Sequence, residues 1–443
     1  MKRMYSLIAA ALMLVIFTGA QGQQTWSLQK CIDYAIQNNI QIKQQSLSTK
    51  YYNNQQKQAK YNRLPNLNAS FQNNMSFGLT PQPNTNVYLD QKSNSTNGYV
   101  SSNITIWNGF ILNNAIKAAD LDLRASLEDM QKAKDDLMLN IAASYLEILF
   151  ADELVIVSED VLKVTQLQID RTGKLVEAGS LAKGSLLEIE AQFAREELNM
   201  VNAQNRSQLA YLNLYQFLEL PSTESFKIEK PILPEIGANL SIINSMDVFR
   251  KAVQTKPAVK SAEFKLESVR KQLKIAKGNL LPSLSFGGSY SNQYTYFFNF
   301  QNSSIRDQLK GQQRYGFGAT LTIPIFNHYQ AQTQVKNTQI QVETSELTLQ
   351  NTKNLLRKDI ELAYTNALAA YKRYIANQKA VVSSTEAFRY TEEKFNVGMI
   401  NSVEYNQTKS NLTTAQSDLL QAKYEYIFRT KILDFYNGQA IEL

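Results

Sequence analysis

The stretch from Pro282 to Phe298 constrains the fold more than any other part of the chain. Its even positions read Leu284, Phe286, Gly288, Tyr290, Asn292, Tyr294, Tyr296 and Phe298, and its odd positions up to Thr295 are Ser, Gly, Gln or Thr. A β-strand sends alternate side chains to opposite faces, so one face here is apolar and aromatic and the other small and polar. Globular strands average about 5–6 residues, and this alternation runs more than twice that. At about 3.3 Å per residue it reaches on the order of 50 Å, enough to cross a bilayer.

Three further stretches carry the same signal. Leu67, Ala69, Phe71, Met75, Phe77 and Leu79 alternate with polar residues, as do Val100, Ser102, Ile104 and Ile106, and Tyr315, Phe317, Ala319, Leu321 and Ile323. The pattern predicts four strands in two hairpins, at about 66–107 and 283–323. Apolar-out, polar-in strands with aromatics and polar loops are the mark of transmembrane barrels. Four strands cannot close a barrel, and lipid does not tolerate open strand edges. If the strands sit in a membrane, several chains must complete the wall.

Helices fill the rest. Trp26 to Tyr61 reads as a helix with Cys31, Ile32, Ala35 and Ile36 on an early apolar face, stopped by Pro65. From Phe110 to about Arg171 there is no proline and no internal glycine, which predicts a helix of about 90 Å. Gly173, Gly179 and Gly184 punctuate a turn, and a return helix runs from Ser185 to Leu220, before Pro221. Residues 221–245, with Pro221, Pro231, Pro234 and Gly237, read as a connector. The plan then repeats: a helix over Met246–Lys277, the second hairpin, a long helix from Gln330 to Lys394, a turn from Asn396 to Ser402, and a return helix to Tyr436. Leu64-Pro65-Asn66-Leu67 and Leu281-Pro282-Ser283-Leu284 stand 217 residues apart, as do Ile104-Thr105-Ile106 and Leu321-Thr322-Ile323. Gly179 and Gly398 stand 219 apart. The second long helix carries a heptad stripe of Val335, Val342, Leu349, Leu356, Ala363 and Ala370, and a second line of Ile340, Leu347, Leu368, Ile375 and Val382. A strict seven-residue repeat imposes a left-handed supercoil, and two stripes suit a helix with neighbours on both sides, as in a wall of helices. A signal peptide over 1–22 and two structural repeats, 23–230 and 231–443, organise the chain.

The leader is read from Lys2 and Arg3, the apolar run Leu7–Phe17, and the small residues Thr18, Gly19, Ala20 and Gly22, with cleavage after Ala20 or Gly22. Cys31 follows Leu28, Gln29 and Lys30, not a lipid-attachment context, and a single cysteine excludes an intrachain disulfide framework. The formal charge of +7 falls by two, to +5, once Lys2 and Arg3 leave with the leader. That excess is dispersed, which argues against nucleic-acid binding. No later segment is apolar for 18 residues, so no transmembrane helix is expected. A secreted chain with membrane-type strands and no membrane helix suits a Gram-negative outer membrane.

Catalysis finds little support. His328 is the one histidine and Cys31 the one cysteine, so neither a His/Cys zinc site nor a Cys–His pair is expected, and no cofactor. Gly287-Gly288 and Gly316-x-Gly318 lack the Lys-Ser/Thr and helix of a phosphate loop and read as strand glycines.

The duplicated plan, the two Leu-Pro-x-Leu strand entries, and the turns Glu177-Ala178-Gly179-Ser180 and Asn396-Val397-Gly398-Met399 resemble the TolC-like outer membrane efflux family. The resemblance covers nearly all of the mature chain. It implies a mainly α protein with a β-barrel part: a long coiled-coil α-helical barrel in the periplasm below a trimeric 12-stranded transmembrane β-barrel, four strands per chain. It implies a homotrimer in outer membrane lipid, meeting a periplasmic membrane-fusion adaptor and an inner-membrane transporter. Gly179, Ser180, Val397, Gly398 and Met399 would be the adaptor-contact tips. Glu386 and Glu393, seven residues apart on one helix face with Arg389 and Lys394 near, are candidate pore-lining residues at the closed end. The implied function is a passive exit duct for efflux or secretion. Service as the outer membrane component of type I protein secretion is one alternative and a structural coiled-coil envelope protein another.

Overall fold

In the computed structural model the residues described are 25–81, 87–220, 226–232, 236, 244–298 and 301–441. The expected leader, and most of the expected connector 221–245, lie outside them. Among the described residues the elements run β1 (Thr25–Trp26), α1 (Leu28–Asn38), α2 (Ile40–Tyr61), β2 (Asn68–Pro81), β3 (Tyr88–Trp107), α3 (Ile111–Glu177), α4 (Lys183–Leu218), β4 (Lys227–Ile228), α5 (Ser245–Thr255), α6 (Pro257–Gly278), β5 (Ser283–Phe297), α7 (Ile305–Gly311), β6 (Arg314–Thr322), α8 (Gln330–Asn396) and α9 (Ser402–Tyr436). Four strands form one antiparallel sheet in the order β2-β3-β5-β6. The alternating stretch Pro282–Phe298 forms its 15-residue strand β5.

The chain divides into two compact units that each take segments from both halves. One comprises Met1–Ser46, Met130–Pro257 and Lys353–Leu443; the other comprises Leu47–Asp129 and Ala258–Thr352. The second unit holds the sheet. On the edge strands its alternating apolar side chains are bare in the single chain, with Phe71 82% exposed and Phe317 81%, while Val100, Ile104, Leu284 and Tyr294 on the inner strands are half-buried. β2 and β6 are the sheet's edges, and among the described residues neither has a partner strand on its outer side.

The first unit holds the main core. Cys31, Ile32 and Ala35 of α1 pack with Ile141, Tyr145, Ile148 and Leu149 of α3, Leu214 and Leu218 of α4, and Ile427 and Phe435 of α9. Burial pushes the Cys31 thiol up to about 12, so it is a small core residue rather than a reactive one. Tyr145 is wholly buried, and its hydroxyl donates to the Glu229 carbonyl at 2.6 Å with the Trp26 carbonyl 3.1 Å away. It thereby ties α3 to the parallel pair β1–β4, two short strands that the sequence did not announce.

The structure corrects several element boundaries. The helix expected over Trp26–Tyr61 is broken at Asn39, whose backbone leaves the helical region at φ −59°, ψ 132°. The Asn39 side chain accepts the N–H of Gln41 at 2.9 Å and of Ile42 at 3.3 Å, capping the start of α2. The helix expected over Met246–Lys277 breaks at Lys256, because Pro257 opens α6 with its missing N–H at the first position, where none is needed. Conversely, α3 runs through Gly173 to Glu177, and Gly184 lies inside α4 rather than in the turn. One interior glycine costs about 1 kcal/mol, which a long packed helix absorbs.

The two breaks are repeat equivalents and make equivalent contacts. Asn39 donates its side-chain amide to the Phe217 carbonyl at 3.0 Å, and Lys256 donates to the Phe435 carbonyl at 2.7 Å. Each fastens the joint between two helices to a carbonyl in the last turn of a return helix, and the Phe435 carbonyl also accepts the Gly438 N–H at 3.0 Å. Lys256 also lies 3.3 Å from the Phe435 ring centroid. Burial lowers its pKa to about 8, opposed by the charge of Asp135. The folded value lies below the unfolded value of about 10.4. Between the two, the unfolded chain holds a proton that the folded chain lacks, so stability rises with pH across that window. Comparing urea midpoints in detergent at about pH 7 and about pH 10, the wild type should gain relative to Lys256→Met, and parallel midpoints would contradict this.

Candidate functional site at the helical tips

Each long helical hairpin closes on a glycine in the left-handed region, Gly179 at φ +71° and Gly398 at φ +77°. At the first tip the Gly179 N–H bonds to the Val176 carbonyl (3.0 Å) and the Ser180 N–H to Leu175 (2.8 Å). At the second, Gly398 bonds to Phe395 (3.1 Å) and Met399 to Lys394 (2.9 Å). Both are Schellman caps, which satisfy the last helical carbonyls and require a residue tolerant of positive φ. A Cβ at either glycine would meet open space, so the backbone angle alone selects glycine. Ser180, Val397 and Met399 stand beside them exposed, Met399 at 74%.

Glu386 and Glu393 lie on the exposed face of α8, and Arg389 bonds to both. Its Nε donates to Glu386 at 3.1 Å and its Nη1 to Glu393 at 2.8 Å. The Arg389 guanidinium pKa is raised, first by the hydrogen bond to Glu386 and then by the charges of both glutamates. The cluster carries a net charge of one negative per chain rather than two. The guanidinium also stacks over Tyr390, 4.5 Å from its centroid.

Behind the tips, three polar links join the two hairpins, none of them among the contacts expected from the sequence. Arg171 near the end of α3 donates to the Asn396 side chain at 2.7 Å. Ser402, at the start of α9, donates its hydroxyl to Glu188 of α4. Further in, Lys409 of α9 meets Glu196 of α4 at 3.3 Å and the Thr165 hydroxyl of α3, and Thr165 also bonds to Glu196. Lys409 is 7% exposed and Glu196 5%. Gln192 supplies Glu196 with one more donor at 3.0 Å, and the Val161 carbonyl lies 3.4 Å from the ammonium. Burial lowers the Lys409 pKa, opposed by Glu196. A sequence signal for this link exists. The buried positions of α4 run Ile189, Glu196, Ala203, Ala210 at intervals of seven, so Glu196 is a charge in a core register.

A sequence profile of the outer membrane efflux protein family matches residues 31–218 and again 248–435. The chain is 24% identical over 315 residues to the outer membrane protein TolC of Vibrio cholerae, covering 71% of this chain and 70% of that one. It is 24% identical over 197 residues to an uncharacterised protein of Haemophilus influenzae, covering 44% of this chain and 41% of that one, so it spans less than half the length of this relative. Its fold superposes on crystal structures of CusC, described with its conformational changes on folding and transmembrane channel formation, with a TM-score of 0.80, 17% identity, and 93% and 92% of the two chains covered.

Removing one member of a buried ion pair leaves the other charge without its counterion. Lys409→Ala should cost about 3–5 kcal/mol in chemical denaturation of the detergent-solubilised protein, whereas Lys409→Met combined with Glu196→Leu should recover most of the loss. A single variant no worse than the double would show that the pair is not buried in the folded protein. The two family matches each span a helix, a β-hairpin and a helical hairpin, and with the fold they establish that this chain belongs to the outer membrane efflux protein family.

Proposed function

We propose that the chain is the outer-membrane exit duct of a tripartite export system, a passive trimeric channel whose helical part lies in the periplasm. The observation that carries this reading is the sheet: four amphipathic strands whose edge strands have bare apolar faces and, among the described residues, no partner strand on either outer side. In lipid every backbone donor and acceptor must be satisfied, so a four-stranded sheet demands further copies. Three copies give 12 strands, within the range of membrane barrels. The helices support the same conclusion. Ile340, Leu347 and Val382, from the second line of α8, are exposed in the single chain while Leu356, Ala363 and Ala370 of the first line are buried. The bare line suits a neighbouring helix. Residues 1–22 direct secretion and are removed, and the repeats 23–230 and 231–443 each supply one strand hairpin and one helical hairpin.

The exposed tip residues Gly179, Ser180, Val397, Gly398 and Met399 meet a periplasmic adaptor, which couples the duct to an inner-membrane transporter. Glu386 and Glu393 face the tunnel near its closed end, and in a trimer each cluster with Arg389 contributes to a ring of net negative charge. No step of chemistry is required of the chain; the transporter supplies the energy and the selection.

Light scattering of the solubilised mature protein should give the mass of three chains, and the protein should conduct in planar bilayers. A monomeric mass or no conductance overturns the reading. Glu386→Gln with Glu393→Gln should lower cation preference in the same recordings, and unchanged selectivity in an intact trimer would remove both residues from the pore.

Bulky replacements at the tips, Ser180→Trp or Met399→Trp, should abolish export in cells while trimer yield stays normal. Loss of the trimer instead would mean that these residues serve folding.

A further inference from the structure

The two hairpins of the sheet differ in one respect that the repeat does not explain. β3 has 20 residues and β6, its equivalent in the second half, has nine. β3 pairs with β5 as far as Ser93 opposite Phe297, whereas β6 pairs with β5 only as far as Arg314 opposite Ser291. Residues 292–297 of β5 therefore have a strand on one side only.

A polar arm occupies the place of the missing strand. Asn302 accepts the Phe297 N–H at 2.7 Å and donates to the Phe297 carbonyl at 2.7 Å. Gln308 accepts the Thr295 N–H at 2.9 Å and donates to the Thr295 carbonyl at 3.0 Å. Two carboxamides thus reproduce, at alternate residues, the paired bonds that a neighbouring strand makes. Asn292 adds a bond to the Leu309 carbonyl at 2.9 Å. The short helix α7 between these groups is held at the edge of the sheet, with Ile305 57% and Leu309 41% exposed.

The other wall of this gap follows from the repeat. In β3–β5, Thr105 faces Ser285. Their equivalents 217 residues away are Thr322 and Asn68. Continuing the same antiparallel register, Arg314 at the upper end of β6 faces Ser76 of the next copy's β2. Residues 77–81 of that strand then have no β6 to pair with. The gap is one strand wide, about 10 Å between the flanking strands, which is the diameter of a helix with its side chains.

We infer that the arm from Asn302 to Gly311 is an interface element that seals the upper seam between copies, with its Ile305 and Leu309 side meeting residues 77–81 of the next copy's β2. This rests on the proposal that several copies close one barrel. The occupant is a second copy of this chain: the seam's far wall is β2, the other open edge of the same sheet. Without the arm, Thr295 and Phe297 of β5 would carry unsatisfied backbone groups, and the apolar side of the arm shields the neighbouring β2 edge.

Disulfide cross-linking of the full chain in a Cys31→Ser background tests this. Tyr315→Cys with Met75→Cys probes the strand-to-strand seam that the register sets. Leu309→Cys with Leu79→Cys, and Ile305→Cys with Leu79→Cys as a second position, probe the arm. Under oxidation the strand pair and at least one arm pair should give inter-chain dimers on a non-reducing gel, with no dimers from single cysteines. Adding Asn302→Ala and Gln308→Ala should reduce the arm cross-link by about tenfold, since four bonds to the edge are lost, and leave the strand cross-link unchanged. Strand cross-linking without either arm cross-link, or arm cross-linking indifferent to the two alanines, overturns the inference and leaves the multi-copy barrel standing. Absence of all inter-chain cross-links overturns both.

Discussion

Backbone hydrogen bonding in a medium without water governs this molecule. An unpaired N–H or C=O in hydrocarbon costs several kcal/mol, so a sheet there has to close on itself. One chain supplies four strands and two open edges. The same requirement acts inside the chain. Asn302 and Gln308 satisfy Phe297 and Thr295 on the edge that the short β6 leaves bare, and Asn39 satisfies the Phe217 carbonyl at the end of a return helix. Polar side chains are placed where the backbone would otherwise be left without a partner.

The duplication extends to individual contacts. Asn39 and Lys256 are chemically unlike, yet both donate to the carbonyl of a phenylalanine near the end of a return helix, Phe217 and Phe435. The position demands a donor with enough reach, and an amide or an ammonium meets that demand. The difference has a consequence. An amide is neutral, whereas burying the ammonium lowers its pKa to about 8 and gives one joint a pH dependence that the other lacks.

Much of the architecture was legible because it depends on period. Alternation over Pro282–Phe298 and the absence of proline and internal glycine after Phe110 each announce an element from its own residues alone. The tip glycines were legible for the same reason: a Schellman cap is local, and only the backbone angle at Gly179 or Gly398 decides it. What escaped is held by partners distant in sequence. The break at Asn39 depends on a carbonyl 178 residues away. The pairing of Lys409 with Glu196 spans 213 residues. β1 and β4 are two residues each, too short for any period to register. The arm α7 was read as polar loop, and its role depends on how far β6 extends, which is a property of the pairing and not of the arm.

The helical hairpins show how a coiled-coil register can encode both packing and partner. In α8 the buried line narrows to alanine at Ala363, Ala367 and Ala370, and small side chains let helices approach closely. In α4 the same register holds Ala203 and Ala210 but places Glu196 between Ile189 and Ala203. A charge at such a position lowers stability relative to an apolar residue and gains register, because only a facing cation in the right place offsets its burial. Lys409 is that cation, and Thr165 of a third helix bonds to both. An all-alanine stripe would permit α9 to slide along its neighbours in steps of one heptad. In the register of this structure Lys409, Glu196 and Thr165 meet, and a slide of one heptad would part the ammonium from the carboxylate and leave both buried without a partner.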